Sequence, residues 1–168
     1  MAGLHDQIDS PVLYLDFDGV LHPDAVYRVH GEIILKYDGI GLFEWAPLLV
    51  ELLAPYPDIR IVLSTSWVRV ISYDKARARL PPELIERVIG ATWHSSMNVY
   101  WWHGLTRYQQ VSLHARRHKV QQWLAIDDDA TGWPDEALRH LVPTDSMLGL
   151  AATDSLSQLR QRLLELAS

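Results

Sequence analysis

Short apolar runs alternate with helical patterns along this chain, and this order limits its possible folds more than any other feature. The runs at Val12–Leu15, Arg60–Leu63 and 122–126 are rich in aliphatic and aromatic residues, as in buried strands. Residues 43–53 carry apolar side chains at helical spacing, and 107–118 is also predicted to be helical. Strands that alternate with helices predict an α/β fold with a doubly wound, mostly parallel sheet and helices on both faces.

Weaker patterns predict the remaining elements. Residues 27–36 read as two short strands about Gly31, which would form a small β-hairpin flap. Proline and glycine mark several element boundaries. The other predicted elements are helices over Trp67–Ile71, 74–80, 82–89, Asp135–His140 and 154–166, strands at 91–93 and 141–142, and an irregular loop over 95–105.

Composition narrows the class of protein. The chain has 168 residues, 48% of them hydrophobic, which predicts one domain over residues 1–168. A net charge of −6 argues against broad nonspecific binding to duplex nucleic acid, although a local metal ion or arginine can still attract a phosphate. The absence of cysteine excludes disulfides and thiolate metal sites. No apolar run is long enough to span a membrane and residues 1–10 lack a signal-peptide pattern, so we expect a cytoplasmic protein without a membrane partner.

Polar side chains of particular kinds follow three of the predicted strands. The first strand ends in two aspartates and a glycine, which alone could be a simple turn. Parallel strands, however, bring their carboxyl ends to one edge of a sheet, where open α/β folds bind ligands. The residues expected near this edge are Asp16, Asp18, Ser64, Thr65, Asp127, Asp128 and Asp129. Arg107 begins the predicted 107–118 helix, which comes directly before the 122–126 strand.

The chemistry of these groups is that of a phosphate site. Carboxylates gathered at one edge repel each other and favour a hard cation such as Mg²⁺, which takes oxygen ligands. Hydroxyls can hold an anion, and an arginine can offset its charge. The combination suits phosphoryl transfer, in which catalysis consists largely of positioning and charge neutralisation.

The same residues resemble the motifs of the haloacid dehalogenase (HAD) superfamily of aspartate-nucleophile phosphohydrolases. Residues 16–21, Asp-Phe-Asp-Gly-Val-Leu, are similar to its first motif, and 61–67 to its second, a strand ending in Ser or Thr. Arg107 matches the third, a basic residue, and 124–128 the fourth, a strand ending in an acidic pair. The resemblance covers about residues 11–150 and extends to small HAD domains found in nucleic-acid repair proteins. It implies a HAD/Rossmann-like fold.

The resemblance also implies a role for each residue. Asp16 would attack phosphorus and form an aspartyl-phosphate, while Asp18 would act as general acid and then general base. Mg²⁺ would bind the Asp16 carboxylate, the Asp18 backbone carbonyl and Asp127. Ser64 would hydrogen-bond the phosphoryl group with help from the Thr65 backbone, and Arg107 would offset its charge.

Several assignments stay open on the sequence alone. The basic residue of the third motif could instead be Arg116, Arg117 or Lys119, because the family more often has lysine there. Either Asp127 or Asp128 could be the direct metal ligand, with the earlier residue preferred. Ser64 could instead be a helix cap, and Asp129 is expected to cap a loop.

Histidines and tryptophans give weaker signals. His22 and His30 follow the first motif and could touch a substrate, but lone histidines of this kind are more often surface residues. Trp93, Trp101 and Trp102 could form a stacking platform for a base. The preferred interpretation is that they cover the core beside the third strand.

The lengths of the connecting segments predict a capless protein. The segment from Asp18 to the 43–53 helix has room for a hairpin, and that from Ser64 to Arg107 is largely used by predicted elements. An open site suits a bulky substrate, such as a phosphorylated protein or a nucleic-acid end, or closure by a partner; a nucleotide is a further candidate substrate. The leading hypothesis is a Mg²⁺-dependent phosphatase. The alternatives are a catalytically silent HAD-like binding module, a metal-dependent nuclease and a receiver-like domain.

Overall fold

A five-stranded parallel sheet forms the centre of the computed structural model, which describes residues 6–168. The strands in chain order are β1 (Val12–Leu15), β2 (Val26–Val29), β3 (Glu32–Leu35), β4 (Arg60–Leu63), β5 (Val88–Ala91), β6 (Trp123–Asp127) and β7 (Leu141–Pro143). The sheet order is β5-β4-β1-β6-β7, and every neighbouring pair in it is parallel. Strands β2 and β3 form a separate antiparallel hairpin. The α/β fold and the flap are therefore confirmed.

Helices cover both faces of this sheet. They are α1 (Ala46–Leu53), α2 (Trp67–Ile71), α3 (Tyr73–Arg77), α4 (Pro82–Ile85), α5 (Val99–His103), α6 (Arg107–Arg117) and α7 (Thr153–Leu166), with a 3₁₀ helix over Asp135–His140. Alternate residues of a strand point to opposite faces. Leu13 and Leu15 of β1 accordingly pack in the core that includes α1 and α7, and Val12 and Tyr14 in the core against α6.

The third sheet strand begins earlier than its sequence pattern predicts. The predicted 82–89 helix ends at Ile85, and β5 occupies Val88–Ala91 instead of 91–93. Val88 pairs with Ile61 and is buried, so pairing with β4 and burial decide the conformation of residues whose local pattern predicted a helix.

One loop prediction and one helix prediction are also corrected. The segment 95–105 is not wholly irregular, because Val99–His103 is helical and the Asn98 side chain accepts a hydrogen bond from the Trp101 backbone at its start. The first helix begins at Ala46 and not at residue 43, since Phe43 has a φ of 58°, which is incompatible with a right-handed helix.

The segments that could have held a cap contain only small elements. In residues 6–168, the hairpin is the only regular structure between β1 and α1, and short helices with β5 fill the connection from β4 to α6. The expectation of no large cap is confirmed for this part of the chain. None of its helices has the length and apolar character needed to cross a membrane. Residues 1–5, which belong to the stretch assessed for a signal peptide, lie outside the described residues.

Candidate active site

The register of the three central strands brings their polar ends to one edge. Leu15 of β1 is the partner of Leu63 in β4 and of Ile126 in β6. The next residues along these three strands are Asp16, Ser64 and Asp127, and all three are almost fully buried. The backbone N–H of Asp16 donates to Ile126, and that of Ser64 donates to Leu15, which fixes the ends relative to each other.

Three carboxylates form a cluster at this edge. One carboxylate oxygen each from Asp16, Asp127 and Asp128 lies within 4.8 Å of the others. A set of three carboxylates has the chemistry that a hard divalent cation requires. Both members of the acidic pair reach the cluster, so the structure does not separate Asp127 from Asp128 as a ligand. Asp128 lies directly against Gly19, where a Cβ atom would overlap its carboxylate.

Burial and mutual repulsion disfavour the charged forms of these carboxylates. Burial raises the pKa of Asp16 well above its usual range, and the neighbouring Asp127 raises it further. Burial also raises the pKa of Asp127, to about 6, although Arg107 opposes the shift. The pKa of Asp128 is raised by burial as well. A bound cation would remove this penalty, which is why the cluster fits a metal such as Mg²⁺.

Arg107 ties the strand ends together from the first turn of α6. Its Nε donates to Asp127 Oδ2 at 2.9 Å, one terminal nitrogen donates to the Ser64 carbonyl at 2.8 Å, and the other lies 3.8 Å from Asp16 Oδ1. Burial would lower the pKa of Arg107, but Asp16 and Asp127 raise it above its ordinary value. The guanidinium is therefore a fixed positive charge in the site.

The other candidates for the third motif lie elsewhere. Arg116 and Arg117 are exposed at the far end of α6, and Lys119 is exposed beyond it. At about 1.5 Å per residue, nine positions of helix place Arg116 about 13 Å along the axis from Arg107. The geometry therefore favours Arg107 among the four.

The two hydroxyls after β4 differ in their contacts. The Thr65 Oγ1 accepts a hydrogen bond from the Trp67 backbone N–H and so caps the start of α2. The Ser64 Oγ is buried and has no hydrogen-bond partner in the described part of the chain. Ser64 is therefore not a helix cap, and its hydroxyl is free for a ligand at the strand edge.

Asp18 lies beside the cluster with its carboxylate held by other residues. Its Oδ1 accepts hydrogen bonds from His22 Nε2 at 2.8 Å and from Trp67 Nε1 at 2.9 Å. The surface location expected for His22 is wrong, because its side chain is completely buried, whereas His30 is exposed. Neither His22 nor Trp67 was predicted to contact a site residue. The only feature of the sequence that could have indicated the contact between Asp18 and His22 is their spacing of four residues.

Asp129 has the loop role expected of it. It is exposed, and its Oδ1 accepts a hydrogen bond from the Thr131 backbone N–H. Its own backbone N–H donates to Asp127 Oδ1, which leaves the Asp127 carboxylate held on one oxygen by this amide and on the other by Arg107. Asp24 is a further acidic neighbour that sequence patterns did not indicate, since it raises the pKa of Asp128.

Comparison with known families agrees with this geometry. The family described as "HAD domain in Swiss Army Knife RNA repair proteins" matches residues 12–155, which include every site residue above. The chain belongs to this family. No curated protein and no solved structure gave a significant match. Membership supports a HAD-type hydrolase, and the HAD superfamily typically uses Mg²⁺.

A cleft beside the cluster adds an aromatic wall to the site of this HAD domain. Its volume is about 230 Å³, and Thr65 and Arg107 line it together with Trp93, Trp102 and Gln110. Trp102 is buried against Trp93, with ring centroids 5.6 Å apart, as expected for residues that cover the core. Trp101 departs from that expectation because 49% of its surface is exposed.

Proposed function

We propose that this HAD domain is a Mg²⁺-dependent phosphomonoester hydrolase that works through an aspartyl-phosphate on Asp16. The observation that carries the proposal is the burial of the Asp16 carboxylate at a strand end among Asp127, Asp128 and Arg107. A nucleophilic carboxylate divides one difficult hydrolysis into two easier steps. The free Ser64 hydroxyl and the Arg107 guanidinium lie where an anion at this edge would need donors.

Mg²⁺ would be held by carboxylate oxygens of Asp16, Asp127 and Asp128 and by the Asp18 backbone carbonyl. When bound, it neutralises charge on the phosphoryl group and on the carboxylates. The remaining chemistry belongs to side chains of the chain itself.

In the first step an Asp16 carboxylate oxygen attacks phosphorus, and the bond from phosphorus to the leaving oxygen breaks. The leaving oxygen takes a proton from Asp18, and the alcohol departs. Ser64 and Arg107 donate hydrogen bonds to the phosphoryl oxygens in this step. In the second step Asp18 accepts a proton from water, the water oxygen attacks phosphorus, and inorganic phosphate and free Asp16 result.

We further propose that the substrate is a phosphorylated nucleic-acid end. The family description names RNA repair proteins, which is a property of those relatives. In this chain, the cleft beside Arg107 is lined by the partly exposed Trp93, on which a terminal base could stack. In residues 6–168, the connection from β1 to α1 contains only the small β2–β3 hairpin. We therefore expect a bulky nucleic-acid end to reach the carboxylate cluster. The net charge of −6 favours contact with the end over contact along a duplex.

The decisive experiment measures phosphate release from 5′- and 3′-phosphorylated oligonucleotides and small phosphate esters, with Mg²⁺ and with chelator. We expect Mg²⁺-dependent release, loss of turnover in Asp16→Asn, and an acid-stable phosphoryl group on residue 16 in quenched wild-type protein. Asp58→Asn is the matched control, since Asp58 is exposed and precedes β4, at the opposite end of that strand from Ser64. Turnover in Asp16→Asn would refute the assignment of Asp16 as the nucleophile. Mg²⁺ binding without any turnover would indicate the silent binding module.

A further inference from the structure

The carboxylate of Asp18 is clamped on one oxygen by two side-chain donors. His22 Nε2 and Trp67 Nε1 lie 2.8 Å and 2.9 Å from the same atom, Asp18 Oδ1. The side chain of Asp18 is still 24% exposed, whereas His22 is fully buried and Trp67 is nearly so. The carboxylate is therefore held from its buried side, and Oδ2 carries none of the hydrogen bonds that hold Oδ1.

The other nitrogen of His22 determines which nitrogen carries its proton. The Phe43 backbone N–H donates to His22 Nδ1 at 3.1 Å, so this nitrogen must present a lone pair. A neutral ring then has its proton on Nε2, which is the atom that faces Asp18. Both donors to Asp18 Oδ1 are thus N–H groups with a fixed direction.

Aromatic packing holds this arrangement rigid. The His22 ring lies 4.9 Å from the Phe43 ring and 5.7 Å from the Trp67 ring, measured between centroids. Phe17, between the two motif aspartates, packs edge-on against both Phe43 and Trp67. Phe43 has a φ of 58°, an unfavourable value for a residue with a side chain, and this conformation accompanies the hydrogen bond from its N–H to His22.

We propose that His22 and Trp67 are positioning residues that hold Asp18 as the general acid of the reaction and keep its carboxylate out of the metal cluster. The inference rests on the proposed phosphatase function. With Oδ1 occupied by two donors, the transferable proton resides on Oδ2. In the first step Oδ2 gives this proton to the leaving oxygen as the ester bond breaks, and in the second step it takes one from water.

We call the two hydrogen bonds from His22 and Trp67 to Asp18 Oδ1 the clamp. Without the clamp, the Asp18 carboxylate would be free to turn towards the candidate cation site formed by Asp16, Asp127 and Asp128. The Asp18 carboxylate is already close to this cluster, since its charge contributes to the raised pKa of Asp16. The expected consequence is selective: the step that needs a proton donor slows, whereas attack by Asp16 persists.

Leaving groups of different basicity test the clamp. An alkyl phosphate must have its leaving oxygen protonated, whereas 2,4-dinitrophenyl phosphate releases a stable anion without an acid. The measurement is the first-turnover release of each leaving group, which isolates the first step from hydrolysis of the intermediate. The variants are His22→Leu, Trp67→Phe, which keeps an aromatic ring, and His22→Gln, which keeps an N–H donor near the Nε2 position.

We expect His22→Leu and Trp67→Phe to slow alkyl release by about tenfold or more, since general acids contribute about 10²- to 10⁴-fold. Release of dinitrophenolate should stay within about twofold of wild type, and His22→Gln should recover much of the alkyl rate. An equal loss for both leaving groups would overturn the inference and indicate a structural role only. Unchanged alkyl release in both variants would overturn it as well.

A second measurement needs no activity and separates the two proposals. Nitrogen-15 NMR of the wild-type protein should place the His22 proton on Nε2, and Asp18→Asn should shift both this proton and the indole proton of Trp67. A proton on His22 Nδ1, or resonances that do not respond to Asp18→Asn, would overturn the clamp. Wild-type protein that releases neither leaving group would refute the phosphatase function and leave the clamp to be decided by these spectra.

Discussion

A buried hydroxyl without a partner destabilises a folded protein, and Ser64 has such a hydroxyl. Its Oγ and Trp133 Nε1 are the two buried side-chain polar atoms without a hydrogen-bond partner among residues 6–168. An unsatisfied buried group costs about 1–3 kcal/mol of stability. In Ser64 the group lies at the strand edge where Arg107 donates to the Ser64 carbonyl, so the atom that destabilises the free protein is the one proposed to bind a phosphoryl oxygen.

Ser64→Ala is therefore expected to separate stability from activity. The free energy of unfolding without phosphate should stay equal or rise by about 1 kcal/mol, because the unsatisfied hydroxyl is removed. The value of kcat/KM for a phosphate ester should fall by about tenfold or more, as for loss of an oxyanion donor. Urea unfolding and steady-state kinetics check the two effects. Ser157→Ala, at an exposed position of α7 outside the cleft, should change neither by a comparable amount. A destabilised Ser64→Ala protein with full activity would contradict the assignment.

The turn after β1 is the element that lies against Asp128 beside the Asp16 carboxylate. Gly19 has a φ of 74°, and the space for its Cβ is taken by the Asp128 carboxylate. The Thr144 hydroxyl donates to the Gly19 carbonyl at 2.6 Å, which attaches the turn to the segment after β7. Gly19 thus has two functions: it adopts the left-handed backbone conformation of the turn, and its lack of a side chain leaves space for the Asp128 carboxylate.

A pair of glycine variants separates these two functions. Gly39 has a φ of 79° and nothing near its Cβ position, so Gly39→Ala should lose only about 1–2 kcal/mol of stability for the left-handed backbone. Gly19→Ala should lose at least as much and should also displace Asp128, lowering Mg²⁺ affinity by about tenfold. Thermal unfolding and calorimetric titration with Mg²⁺ measure the two quantities. Equal Mg²⁺ affinity in both variants would show that Asp128 is not a ligand.

Two buried titratable groups give the molecule opposing responses to pH. In the folded protein burial raises the pKa of Asp127 to about 6 from 3.8, so folding takes up a proton between these values. The Asp127 contribution to the free energy of unfolding is therefore present at low pH and is lost as pH rises through about 6. Burial lowers the pKa of His114 to about 3 from 6.5, and its contribution is lost as pH falls. The Tyr14 hydroxyl and His114 Nδ1 share a hydrogen bond of 2.9 Å.

Asp127→Asn should isolate the contribution of the Asp127 carboxylate to the pH dependence of the free energy of unfolding. In chelator, the free energy of unfolding of the variant relative to wild type should increase as pH rises from 4 to 7, by at most about 1.4 kcal/mol per pH unit. Addition of Mg²⁺ at 100 times its Kd should stabilise the wild type by about 2.7 kcal/mol at pH 7 and the variant by less. Urea titrations across this pH range test both expectations, with the exposed Asp58→Asn as the control. A variant that parallels wild type throughout would contradict the raised pKa.

Most strands and helices could be predicted because the sequence patterns that indicate them lie within short, continuous segments of the chain. Apolar runs and helical spacing predicted β1, β4, β6 and the parallel sheet, and the sheet in turn predicted that Asp16, Ser64 and Asp127 would meet. The HAD motifs predicted the family that the comparison confirms. The catalytic roles of these residues stay predictions.

Local patterns failed where distant residues decide the outcome. Residues 88–91 pair with β4 despite a helical pattern, and their parallel partners are more than 25 positions away in the chain. Trp67 contacts Asp18 across 49 positions, and Phe43 contacts His22 across 21. Such contacts leave no periodic signature, because they depend on how the elements pack.

What the sequence determined and what tertiary packing decided differ because the interactions involved act over different distances along the chain. Backbone propensity and side-chain periodicity act over a few residues, so the sequence alone was sufficient for the alternation of strands and helices along the chain and for the polar residue types after β1, β4 and β6. The order of the strands within the sheet came from the structure. Tertiary packing decided the orientation of each polar group. It selected Arg107 over the cations at the far end of α6, left the Ser64 hydroxyl without a partner, and turned the Asp18 carboxylate towards His22 and Trp67. These choices depend on burial and on fixed donor directions, which exist only once the chain has folded.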